Sequence, residues 1–205
     1  MTQNATFDLS LSPEAFFRER ITTASHKLNI PLADEVEFYL VNLLIEFIDP
    51  TQLNKEFGTD ILATPLVLLL KQIGEAPESK RPAMYRRLGD TSLYISGYFQ
   101  DYFNDKAFDI NYFMMMGASA YYQAAALTRN PGRKANQRQT LERISDNFGQ
   151  LVDIVAEAAD VSLRLKPTEI LGVYDRWNRT GSERLRHILL ELGITPVSVP
   201  YKVAQ

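Results

Sequence analysis

The chain of 205 residues contains no cysteine, two histidines and a single tryptophan. Without a thiol there is no disulfide, no thiolate metal site and no cysteine nucleophile. His26 and His187 are far apart in sequence, and neither lies in a Glu-x-x-His pattern. A carboxylate di-iron bundle site therefore has no support. No serine-centred nucleophile elbow, phosphate loop or dinucleotide fingerprint is present, and no motif implies a cofactor. Long apolar runs are also missing. The most apolar stretch, ILATPLVLLLKQI at residues 61–73, falls short of the roughly 20 residues that a bilayer span requires. The opening residues, MTQNATFDLSLSP, lack the basic region and apolar run of a signal peptide. A net charge of -3 gives no global pull towards nucleic acid or anionic lipid. A soluble, cytoplasmic protein is expected.

What is present is an ordinary globular composition, 45% hydrophobic and 23% charged. A chain of this length buries roughly 70% of its unfolded surface on folding, so no staple is needed. The expected architecture is all-α: one domain of seven to nine helices over residues 1–193, with a flexible arm at 1–11 and an extended tail at 194–205. Ser12-Pro13-Glu14 combines a capping hydroxyl, a proline suited to the first turn and an acid at the positive helix end. It predicts a helix to about Leu28. Leu32, Val36, Tyr39, Leu40, Leu43, Leu44 and Phe47 recur at three- and four-residue spacing, the mark of a second helix. A short helix is expected over 51–57. Residues 64–74 are nearly continuously apolar and are expected at the centre of the core. NPGRKANQ at 130–137 reads as the clearest loop, followed by one long helix over 139–165. A helix over 168–178 leads to Thr180-Gly-Ser-Glu183, whose spacing matches a capping box. Gly193 is the expected terminator of the last helix.

Residues 85–103, YRRLGDTSLYISGYFQDYF, mix arginines, an aspartate, glycines and rings. Tyr85, Leu88, Ser92, Ile95, Phe99 and Phe103 keep helical spacing. Gly89, Ser92, Ser96 and Gly97 form a small-residue stripe. Each glycine inside a helix costs about 1 kcal/mol relative to alanine, and close approach of a second helix offsets that cost. Gly117-Ala-Ser-Ala120 and Ala124-Ala-Ala126 suggest the mate, an antiparallel hairpin partner over 109–129. The segments YRRLGDTSLYISGYF and INYFMMMGASAYYQ together resemble the paired motif of an uncharacterised bacterial all-helical family. The resemblance covers residues 85–122 and implies a bacterial, intracellular, all-α protein; it carries no activity.

Asp90 lies within reach of Arg86 and Arg87, four and three residues earlier on a helix. This cluster reads either as a structural ion pair or as the wall of a pocket for a polar ligand. Eleven of the 22 aromatic residues fall between Tyr85 and Tyr122. Tyr94, Tyr98 and Tyr121, with Met114, Met115 and Met116, suit a core, a dimer interface or an adaptable ligand cavity. Candidate ligand-binding residues are thus Arg86, Arg87, Asp90, Tyr94, Tyr98 and Tyr121. Asp101, Asp105 and Asp109 are spaced for magnesium-diphosphate chemistry, and Asp146, Asp153 and Asp160 add an acidic row; a solvated face is the default for both. The helix carrying His187 loosely resembles a phosphotransfer helix but lacks the expected following lysine. Arg133, Lys134 and Arg138, with Arg129 and Arg143, form a basic stretch that suits an acidic partner; without interleaved aromatics, nucleic acid is the weaker reading. The leading expectation is a non-enzymatic, homodimeric interaction protein using the 85–122 hairpin and the tail. The alternatives are a binder of a small apolar or aromatic ligand, and a magnesium-dependent enzyme acting on a diphosphate.

Overall fold

Apolar residues three and four apart organise almost every described segment into a helix. The computed structural model describes residues 12–48, 58, 64–98, 110–128, 133–159 (133–135 by their backbone) and 170–197. Among these residues there are nine helices and no strand: α1 (Pro13–Leu28), α2 (Asp34–Glu46), α3 (Leu66–Glu75), α4 (Arg81–Tyr98), α5 (Ile110–Leu127), α6 (Arg133–Asp146), α7 (Phe148–Ala158), α8 (Ile170–Thr180) and α9 (Glu183–Glu191). The all-α expectation holds. The N-terminal arm, the short helix expected over 51–57, Asp101, Asp105, Asp109, Asp160 and the tail beyond 197 lie outside the described residues.

The helix ends follow local chemistry. Ser12 accepts a hydrogen bond from the Ala15 N–H (3.2 Å), with Pro13 in the first turn. α1 stops at Asn29, in the left-handed region at φ 54°, where the Asn29 and Ile30 N–H groups donate to the His26 and Ser25 carbonyls. Asparagine is among the few non-glycine residues that tolerate this conformation. α9 ends in the same manner at Gly193, φ 76°, with Ile194 N–H donating to Leu189 O at 2.9 Å.

Four expectations need correction. α3 is not central: Leu66, Leu69 and Ile73 are buried, but Val67, Leu68 and Leu70 stay 57%, 49% and 38% exposed. A continuous apolar run does not say which neighbours are available to cover it. α6 begins at Arg133, inside the expected loop, because no helix breaker follows Gly132 and Arg, Lys, Ala and Gln are good helix formers. The long helix expected over 139–165 is, over its described residues 139–159, two helices broken at Asn147, whose amide and backbone N–H both donate to the Arg143 carbonyl. The cap of α9 is Ser182, whose Oγ accepts from Leu185 N–H at 3.1 Å, and not Thr180, which closes α8.

The main core draws on α1 to α7, with Leu40, Leu88, Leu93, Tyr121, Leu151 and Ile154 almost fully enclosed and α3 contributing its one buried face. A second, smaller cluster joins Val173 of α8 to Leu185 and Leu189 of α9. The first residues after α9 fasten to α8: the Tyr174 hydroxyl donates to Val197 O (2.8 Å) and accepts from Val197 N–H (3.1 Å).

α4 and α5 form the expected antiparallel hairpin, Gly89 lying against Tyr121 and Ser92 against Gly117. The small-residue stripe, however, serves two neighbours: Ser92 meets the small Gly117 as expected, while Gly89 and Gly97 meet large side chains. A Cβ on Gly89 would stand 2.9 Å from the Tyr121 ring, and one on Gly97 would stand 2.5 Å from Val155 Cγ1 on α7. A Cβ on Gly117 would overlap the ring of Phe148. The glycines are holes that accept rings and branched side chains, which is what recovers their helix cost.

Candidate functional site: a buried carboxylate beneath an arginine

Asp90 projects from the middle of α4 into the core and is 4% exposed. A carboxylate there requires donors. Tyr39 of α2 donates its hydroxyl to Asp90 Oδ1 at 2.5 Å, and Tyr121 of α5 donates to the same oxygen at 2.8 Å. Oδ2 faces two guanidinium groups, Arg86 Nε and Arg87 Nη1, each at 3.8 Å. Arg87 in turn donates to Glu46 at the end of α2, 2.7 Å away. Side chains from α2, α4 and α5 thus converge on one carboxylate.

Local geometry explains why this cluster forms. Residues three and four apart share a helix face, so Arg86, Arg87 and Asp90 converge on one side of α4. The missing side chain at Gly89 lets the Tyr121 ring lie flat on the α4 backbone and brings its hydroxyl within reach. The rings of Tyr39 and Tyr121 meet edge-on, centroids 6.0 Å apart at 74°, and Phe148 leans on Tyr121 from α7 at 6.0 Å.

Burial dominates the electrostatics. It pushes the Asp90 carboxyl above the ordinary carboxylate range, against the opposing pull of Arg86, the two tyrosine hydroxyls and Arg87. Burial and the neighbouring Asp90 together raise both Tyr39 and Tyr121 well above the ordinary phenol value. At neutral pH both tyrosines are hydroxyl donors. Asp90 is closed off on every side by these partners, so it works as a structural acceptor and presents no reachable base.

The candidate ligand residues therefore divide. Arg86, Arg87, Asp90 and Tyr121 are brought together. Tyr94 and Tyr98 are not part of this cluster: they form a stack with Phe47, with centroids 4.0 Å apart for Phe47–Tyr94 and 5.2 Å for Tyr94–Tyr98. Tyr121 is fully buried core. Arg86 of this group lines an open cleft, about 820 Å³ in volume, between the start of α4, the end of α5 and α6.

The basic stretch is partly spent inside the chain. Arg138 pairs with Glu142 at 2.8 Å along α6, and Arg143 reaches Glu35 of α2 at 2.6 Å. Arg133 and Lys134 occupy the first turn of α6. The expected acidic row also dissolves: Asp146 is exposed while Asp153 is buried. Asp153 accepts from Ser182 Oγ at 2.7 Å and from Arg184 N–H at 3.4 Å, holding the start of α9 against α7. Beside it a cleft of about 320 Å³ opens between Arg176, Asn147 and Thr180.

Tyr39, Glu46 and the role of Asp153 escaped the sequence reading. One signal existed for Tyr39. It occupies a place in the apolar stripe of α2, and a tyrosine so placed must find a partner for its hydroxyl. Among the described residues no three histidine or acidic side chains gather as a metal would require, and no helix is long and apolar enough to cross a membrane. No family model, curated protein or solved structure matches the chain.

Proposed function

We propose that this chain is a non-enzymatic helical interaction protein that self-associates through the outer face of α5. One observation carries the reading. The 18 residues of α5 include no charged side chain, yet Tyr112, Met115 and Tyr122 are 42%, 73% and 60% exposed. Their spacing of three and seven residues sets them on one side of the helix. Tyrosine and methionine are enriched in protein interfaces and charge is depleted there. A face without charge meets its own copy without like-charge repulsion, which suits a two-fold contact. The buried side of the same helix is fixed by the Tyr121–Asp90 bond and by Phe148 against Gly117, so little ordering cost opposes association.

This reading narrows the interface expected from the sequence. Most of α4 is buried, from Met84 through Gly97, so α5 rather than the whole hairpin is the contact surface. Light scattering of the full chain tests it. A dimer at micromolar concentration that becomes a monomer in Tyr122→Asp, with an unchanged melting temperature, is the expected result. A wild-type chain that stays monomeric at high micromolar concentration overturns it.

A further inference from the structure

We propose that the 820 Å³ cleft between α4, α5 and α6 binds a small organic monoanion, a carboxylate with an apolar body, anchored by Arg86. The volume falls in the range of about 300–1,000 Å³ typical of small-molecule sites. Arg86 is one-third exposed, and its ion pair with Asp90 is long, 3.8 Å. Among the described residues it donates no hydrogen bond, so its fork of N–H groups is unspent. The carboxylate behind it holds the head in place, and that carboxylate is itself fixed by Tyr39 and Tyr121. A guanidinium oriented in advance matches a carboxylate through two parallel hydrogen bonds.

Two neighbouring cations among the described residues, Arg87 and Arg81, are committed elsewhere. Arg87 is tied to Glu46 at 2.7 Å. Arg81, which also lines the cleft, donates through Nε to Ala76 O and through Nη2 to Gly74 O, both at 3.0 Å. With Glu78 as the lining acid, the charged side chains of the cleft among the described residues sum to one positive charge. That balance favours a singly charged carboxylate over a phosphate dianion. Tyr85, Gln123 and Gln137 also line the cleft and make no hydrogen bond among the described residues; they are free to meet polar substituents. Leu127 and Leu141 supply the apolar wall. The site differs from the aromatic cavity anticipated around Tyr94, Tyr98 and Tyr121, none of which lines it.

Saturation-transfer NMR on the full chain tests the proposal, reading the ring protons of millimolar benzoate and of its neutral counterpart benzamide, with inorganic phosphate, which has no ligand proton to observe, added as a competitor of benzoate. Benzoate is expected to bind, with benzamide and phosphate at least about tenfold weaker, a difference of about 1.4 kcal/mol. Arg86→Gln is expected to lose benzoate binding. Because that change touches the Asp90 cluster, Gln123→Glu provides a second variant. It sits on an exposed position, leaves the fold intact, and is expected to weaken benzoate about tenfold by repulsion. Absence of benzoate binding, equal binding of benzoate and benzamide, tighter binding of phosphate, or benzoate binding unchanged in a folded Arg86→Gln or in Gln123→Glu would each overturn the assignment.

Discussion

Asp90 and Asp153 are both aspartates in the middle of helices, 4% and 3% exposed, and both have their carboxyl groups raised above the ordinary range, with burial as the leading cause. Their partners differ in kind. Asp90 is satisfied by side chains from three helices: two tyrosine hydroxyls and two guanidinium groups. Asp153 is satisfied by a serine hydroxyl and by the backbone N–H groups that open α9. The first arrangement fixes the relative positions of α2, α4 and α5. The second is an N-terminal cap supplied from a neighbouring helix, and it seats one short helix. The same residue type, equally buried, is a hub in one case and a docking peg in the other.

The largest expected effect separates these roles. Asp90→Ala leaves two tyrosine hydroxyls without their acceptor and two guanidinium groups without the carboxylate they face, a loss of about 3–5 kcal/mol, as for a broken buried ion pair. Asp153→Ala removes one hydroxyl acceptor and part of a cap, about 1–3 kcal/mol. Urea unfolding of both variants reads the difference directly; equal losses would erase the distinction between hub and peg.

Next comes the packing that positions the hub. Gly117→Ala places a Cβ into the Phe148 ring and within 2.7 Å of Ser92 Cβ, so it should cost about 1–3 kcal/mol by overpacking. Gly172→Ala has nothing within 4 Å of the added atom and lies inside α8, so it should be neutral or stabilise by less than about 1 kcal/mol. Thermal melts that rank the two the other way would mean that α4, α5 and α7 do not meet as closely as described.

The smallest effect is in pH. Burial raises the folded pKa of Asp90 above its unfolded value. As pH rises through that window the unfolded chain releases its proton first, and wild type loses stability relative to Asp90→Asn, which does not titrate. The stability of wild type minus that of Asp90→Asn should therefore fall from acid towards neutral pH and level off above the folded pKa. Denaturation series at several pH values check the sign. A difference that grows with pH would show that the two hydroxyl donors and two guanidinium groups outweigh burial and that the carboxylate is the favoured form.

Legibility in the sequence followed the range of each interaction. Ser12, Pro13 and Gly193 marked their helix ends because a cap involves atoms within a few residues. The pairing of Arg86 and Arg87 with Asp90 was legible for the same reason. The break at Asn147 was not, since apolar periodicity runs on through Phe148 and Leu151 and only the fit of Phe148 against Gly117 reveals where the chain turns. α3 misled because periodicity reports how many apolar residues a helix carries and says nothing of how many neighbours surround it.

The local order of this protein, its nine described helices and most of their ends, was set by residues three or four apart, because helix hydrogen bonds and caps close over that distance. The pairing of Tyr39 and Tyr121 with Asp90, across 51 and 31 residues, and the seating of α9 on Asp153 were decided only in the tertiary structure. No local pattern encodes a contact between distant segments. Such contacts form because a buried carboxylate must find donors wherever the packed helices deliver them.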